Sequence, residues 1–123
     1  MNRLKNKVSI ITGGASGIGE AISKIFYEEG SKICVIDNNL DKLKSIENKI
    51  NSNEDLITFN FDVSNEDKWK NCVTSILDKW NKIDILVNNA GMSLRSNFEE
   101  MKKNEWDKVF SVNSTAVMLG TQN

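Results

Sequence analysis

Thr12-Gly13-Gly14-Ala15-Ser16-Gly17-Ile18-Gly19 directly follows the apolar run Val8 to Ile11 and leads into an amphipathic segment. The three pieces read as a strand, a glycine-rich turn and a helix. Such a turn has a chemical use. The first N–H groups of a helix lack intrahelical partners and the peptide dipoles add there, so a phosphate can rest on the helix start if no side chain holds it away. Gly13 lets the chain leave the strand sharply, Gly17 lets the backbone approach a phosphate, and Gly19 lets the helix pack closely on its strand. The phosphate loop of nucleotide triphosphatases needs a lysine after its last glycine. Here Glu20 follows Gly19, which excludes that class. The glycine spacing also differs from the G-x-G-x-x-G fingerprint of other dinucleotide-binding folds.

Downstream, short apolar runs alternate with segments of helical period. The first helix carries Ile18, Ala21, Ile22, Ile25 and Phe26 on one stripe and stops at Gly30. A second strand, Ile33 to Ile36, ends at Asp37. A second helix places Leu40, Leu43, Ile46 and Ile50 on one face, and a third strand runs from Leu56 to Phe61 before Asp62. Ser64 with Asp67 forms a capping-box-like start for a helix whose inward face is Trp69, Val73, Ile76, Leu77 and Trp80. The fourth strand, Ile83 to Val87, runs into Asn88-Asn89-Ala90-Gly91. A last helix is expected from Glu105 to about Leu119, with Trp106, Val109, Phe110 and Val117 inward. This alternation predicts an α/β fold: a doubly wound parallel sheet with right-handed crossovers and strand order 3-2-1-4. In such a sheet a ligand sits beyond the C-terminal strand ends where the order reverses, between strands 1 and 4.

Composition narrows the function classes. The 123 residues are 39% hydrophobic and 27% charged with a net charge of −1, which suits one modest core. Acidic and basic residues are interspersed, so no basic face points to nucleic acid or to an anionic membrane. No apolar run approaches a membrane span or a signal sequence, and a cytoplasmic location is expected. The chain has no histidine, so neither a Ser-His-Asp hydrolase nor an imidazole-ligated metal centre can be built from it. Cys34 and Cys72 stand far apart inside apolar patterns and read as buried small hydrophobes.

Thr12-Gly13-x-x-x-Gly17-Ile18-Gly19 after the first strand resembles the cofactor turn of the short-chain dehydrogenases/reductases, and Asn88-Asn89-Ala90-Gly91 after the fourth resembles that family's Asn-Asn-Ala-Gly signature. The resemblance implies a Rossmann-type nucleotide-binding domain and hydride transfer between a nicotinamide cofactor and a secondary alcohol or ketone. It implies cofactor contacts from Thr12, Gly13, Ser16, Gly17, Ile18, Gly19, Asp37, Asp62, Val63, Asn89, Ala90 and Gly91. Asp37 would accept hydrogen bonds from the adenine ribose. Its charge, with no lysine or arginine at positions 15, 16, 38 or 39, points to NAD rather than NADP. Asp62 and Val63 resemble the pair that brackets the adenine, and Asn113 resembles the family's helix asparagine, whose distortion holds a water of the proton relay.

The family's tyrosine acid/base with a lysine four residues on has no counterpart here, because the one tyrosine is Tyr27 and Ser31 stands four residues later. Residues 1–123 are therefore expected to form the N-terminal, cofactor-binding part of such a domain. The complete protein is expected to be a homo-oligomer, dimer or tetramer. A non-catalytic nucleotide-binding module or an inactive half-domain is the alternative. By itself the chain is expected to self-associate or misfold and to bind NAD weakly.

Overall fold

The computed structural model describes all 123 residues. Four parallel strands, β1 (Val8–Thr12), β2 (Lys32–Asp37), β3 (Leu56–Asn60) and β4 (Ile85–Val87), form one sheet in the order β3-β2-β1-β4. In register, Thr12 lies beside Ile36, Ile11 beside Val87, and Asp37 beside Asn60. The glycine turn, Asp37, Asp62 and the Asn88–Gly91 turn therefore emerge at one end of the sheet.

The central strands are covered on both faces, as their near-continuous apolar runs require. On one face Val8, Ile10, Cys34 and Ile36 pack against Trp69, Cys72, Ile76 and Trp80 of α3 (Glu66–Trp80) and against Ala116 and Leu119 of α5 (Ala116–Gln122). On the other, Ile11, Ile33 and Val35 meet Leu43, Ile46 and Ile50 of α2 (Leu40–Ile50), flanked by Ile22, Phe26 and Tyr27 of α1 (Gly17–Glu28). The indole N–H groups of Trp69 and Trp80 donate to the carbonyls of Val63 and Glu54 at 2.7 and 3.1 Å. Cys34 and Cys72, remote in sequence, are buried side by side with sulfurs 3.9 Å apart, and burial pushes the Cys34 thiol well up.

Asparagine closes several helices. Asn39 and Asn65 cap α2 and α3 by accepting the N–H groups of Lys42 and Lys68, both at 3.1 Å. Asn51 and Asn81 end the same helices in the left-handed conformation, at φ of 50° and 61°. The expected capping box at Ser64 is thus replaced by an Asn65 cap, because Ser64 spends both its N–H and its hydroxyl on Asp62.

Three other expectations are corrected. The stripe read on α1 is only partly its buried face: Ile22 and Phe26 pack against the core, but Gly19 and Ser23 are the fully buried positions while Ile18 and Ile25 are 75% and 51% exposed. The turn dictates this, since Gly19 must sit against Gly13, and Ser23 comes one helical turn later, donating to the carbonyls of Gly14 and Gly19 at 3.0 and 2.9 Å. The fourth strand is shorter than Ile83 to Val87, because Asp84 accepts the Val8 N–H at 2.8 Å and pairs with Lys82 at 2.9 Å before strand pairing begins. The last helix is broken by phase. α4 (Lys103–Phe110) passes into a π-helical segment, Ser111–Thr115, and then α5. A π turn inserts a residue and so rotates the next helical segment by about 100°. Ala116, Leu119 and Gly120 face inward, whereas Trp106, Phe110 and Val117 are exposed and the first two stack on each other with centroids 4.9 Å apart.

Candidate nucleotide-binding site

The site grows from the turn. Gly13 and Gly17 take φ of 60° and 55°, a region that favours glycine. A Cβ at Gly19 would lie 2.0 Å from the Gly13 carbonyl oxygen, so the helix start and the strand end touch through bare backbone. A Cβ at Gly17 would meet nothing within 4 Å. Position 17 thus keeps open space in front of the first turn of α1, the cradle that an anion needs.

Thr12 joins the two strands at the reversal point. Its hydroxyl accepts the N–H groups of Asn89 and Ala90, both at 2.9 Å, and donates to the Val87 carbonyl at 3.3 Å. The Asn89 amide returns two bonds, to the carbonyls of Thr12 at 3.0 Å and Gly13 at 3.2 Å. Thr12 itself is buried, and its hydroxyl is engaged inside the protein.

Beyond these turns lies a cavity of about 330 Å³, at the small end of the roughly 300 to 1,000 Å³ span of ligand clefts. It brings together Gly13, Ser16, Asp37, Asp62, Val63, Asn89, Ala90 and Gly91 from four strand ends. Gly17, Ile18, Gly19 and Asn113 do not line it. Asp37 is 8% exposed; its carboxylate accepts the N–H groups of Ala15 at 3.2 Å and Asn39 at 3.0 Å, one on each oxygen. Those bonds aim the side chain and leave each oxygen a second lone pair. Val63 is buried in the floor beside Phe61.

Asp62 accepts the Ser64 N–H at 2.9 Å and its hydroxyl at 2.7 Å on Oδ1, and it pairs with Lys108 of α4 through Oδ2. Partial burial acts to raise the Asp62 pKa, but the hydrogen bonds from Lys108 and Ser64 outweigh it and lower it to about 2. Asn113, at the middle of the π segment, grips the backbone of Met92: its Oδ1 accepts the Met92 N–H and its Nδ2 donates to the Met92 carbonyl, both at 2.8 Å. π turns of this kind are frequent at functional sites. Lys108, Ser64 and Met92 are absent from the sequence-based site, and none of them carries a local signal that would have shown them.

A family model described as short chain dehydrogenase matches residues 7–123. The chain is 38% identical over 120 residues to zerumbone synthase of Zingiber zerumbet, covering 96% of this chain and 45% of that protein. It is 37% identical over 120 residues to a 2,5-dichloro-2,5-cyclohexadiene-1,4-diol dehydrogenase of Sphingobium indicum, covering 97% and 48%. Among solved structures it superposes on a short-chain dehydrogenase/reductase of the glucose/ribitol dehydrogenase type from Brucella melitensis with a TM-score of 0.92, 27% identity, and coverage of 97% and 50%. The protein is an oxidoreductase-family chain with a Rossmann-type fold, and it belongs to the short-chain dehydrogenases/reductases. It spans about half the length of the relatives it matches. No helix is long and apolar enough to cross a membrane.

Proposed function

We propose that residues 1–123 are the N-terminal, NAD-binding part of a cytoplasmic short-chain dehydrogenase/reductase that moves hydride between the nicotinamide and a secondary alcohol or ketone. The observation that carries the cofactor reading is Asp37. It faces the same cavity as Gly13 and Ser16, is aimed by two backbone N–H groups, and is paired with no lysine or arginine. A carboxylate so placed accepts bonds from the two ribose hydroxyls and repels a 2′-phosphate. The open space at Gly17 fits the pyrophosphate, and the floor at Val63 fits the adenine. NAD supplies the hydride acceptor; the residues of this chain bind and orient it. Asn113 fixes the Met92 backbone beside the turn that runs along the cofactor. Tyr27 lies on α1, partly buried against the core, and Ser31 stands four residues on, so this chain itself supplies no tyrosine-lysine proton pair. The dehydrogenase names of the relatives, one of them for a cyclic diol, favour an alcohol substrate.

Two substitutions test this in the protein that carries the chain. Asp37→Ala should weaken NAD binding, since a hydrogen bond to a charged group contributes about 1.5 to 3 kcal/mol, and should erode the preference over NADP. Kinetics in which the unmutated protein uses NADP as well as NAD would sink the assignment. Gly17→Val should abolish NAD binding while circular dichroism still reports a folded α/β protein, because the added side chain enters phosphate space and strikes no protein atom at its Cβ. An undiminished NAD titration would remove the phosphate from this turn.

A further inference from the structure

Asn60 lies outside the cavity, exposed at the end of the edge strand β3, yet it reaches the residue on which the cofactor reading rests. It is the register partner of Asp37 on β2. In this parallel ladder a bonded residue of β2 takes the carbonyl of the residue before its partner and gives its own carbonyl to the residue after, and Ile33 accordingly donates to the Asp55 carbonyl at 2.8 Å. Continued to the end of the strand, the pattern calls for a bond from the Phe61 N–H to the Asp37 carbonyl. That rung is not made. The chain leaves the sheet there as Phe61 packs edge-on against Trp69, with ring centroids 5.7 Å apart. The Asn60 side chain supplies the missing donor, its Nδ2 reaching the Asp37 carbonyl at 3.1 Å.

The direction of that carbonyl is set by the ψ angle of Asp37. The same angle decides where the next peptide points, and with it the Asn39 N–H, which closes a tight turn onto Asp37 Oδ1 at 3.0 Å while the Ala15 N–H holds Oδ2 at 3.2 Å. A swing of the carbonyl therefore opens the Asn39 bond and leaves the carboxylate on one fastening. Resting on the NAD-binding reading, we infer that Asn60 is a positioning residue for Asp37: its amide stands in for the missing rung, holds the peptide between Asp37 and Asn38, and so keeps the carboxylate aimed at the adenine ribose. Asn60 is then a determinant of the choice of NAD over NADP that touches neither cofactor. Losing the aim weakens the bonds to the ribose hydroxyls and relaxes the repulsion of a 2′-phosphate, so the two cofactors respond in opposite senses. A general loosening of the sheet edge would weaken both alike.

The test titrates NAD and NADP into the protein that carries this chain. Asn60→Leu keeps the size of the side chain and removes its donor, and it should lower NAD affinity about three- to tenfold while NADP affinity stays level or rises. Asn60 is exposed, so the melting temperature should hardly change. Asn60→Ala, which loses the same donor and adds no bulk, should behave alike. In an Asp37→Ala background Asn60→Leu should have no further effect on the ratio of the two affinities, because the group it aims is gone. If the ratio stays fixed in the single variants, if only one of them shifts it, or if the shift persists undiminished without Asp37, the positioning role is overturned while NAD binding stands. If the unmutated protein binds no NAD, or if Asp37→Ala leaves the ratio unchanged, the reading beneath falls with it.

Discussion

Gly19→Ala is expected to unmake the nucleotide turn. The new Cβ would stand 2.0 Å from the Gly13 carbonyl oxygen and 2.6 Å from the Asn89 side-chain nitrogen. Neither can swing aside, because the first is backbone and the second is held by its bonds to the Thr12 and Gly13 carbonyls. Relief requires α1 to move off β1, and overpacking of this kind costs typically about 1 to 3 kcal/mol, sometimes more. The variant should melt several degrees lower and show no measurable affinity for NAD. Gly17→Ala is the control, since its Cβ meets nothing within 4 Å and only the left-handed backbone opposes it, at about 1 to 2 kcal/mol. Equal stability of Gly19→Ala and the unmutated protein would mean that the strand and helix do not touch as described.

Thr12→Val keeps the shape of the side chain and removes its hydroxyl. The N–H groups of Asn89 and Ala90 would then face a methyl group, and a buried donor left without a partner costs about 1 to 3 kcal/mol. The two losses fall on the junction between β1 and β4, so NAD affinity should drop together with melting temperature. Thr12→Ser should recover most of both, because only the hydroxyl matters in this account. A Thr12→Val variant as stable as the parent would contradict it.

These two residues also show what can be read from the chain alone. Gly19 is legible because a helix that starts on top of a strand needs a residue without a side chain at the contact. The strand order and the convergence of Asp37, Asp62 and Asn88–Gly91 are legible because apolar runs and their polar ends set the register. Thr12 reads as a ligand contact in the motif and is an internal acceptor in the structure, since the motif does not tell which way a hydroxyl points. The inward face of α5 departs from expectation because the π segment breaks the 3.6-residue count, while α4, which precedes that segment, buries no residue at all. The Lys108–Asp62 contact joins residues 46 positions apart, and no local pattern distinguishes that lysine from other surface lysines.

The asparagine caps have a consequence in acid. A cap made by an aspartate loses its charge when protonated, whereas the amide of Asn39 or Asn65 does not titrate, so these two side-chain caps do not themselves depend on pH. The acid-sensitive bonds lie elsewhere. Hydrogen bonds from Lys24 and Lys49 lower the Glu20 pKa to about 2, and those from Arg3 lower that of Glu29 to about 2. Asp62 reaches about 2 by the balance described above. Each folded-state value lies below the ordinary carboxylate value of about 4, so the stabilisation is complete above pH 4 or so and disappears between roughly pH 4 and pH 2. Acid titration followed residue by residue should therefore loosen the α1–α2 clamp, the N-terminal arm and the α4 tether first, while the amide protons of α2 and α3 stay protected. The protein would come apart in acid at its fastenings, with its helices still wound.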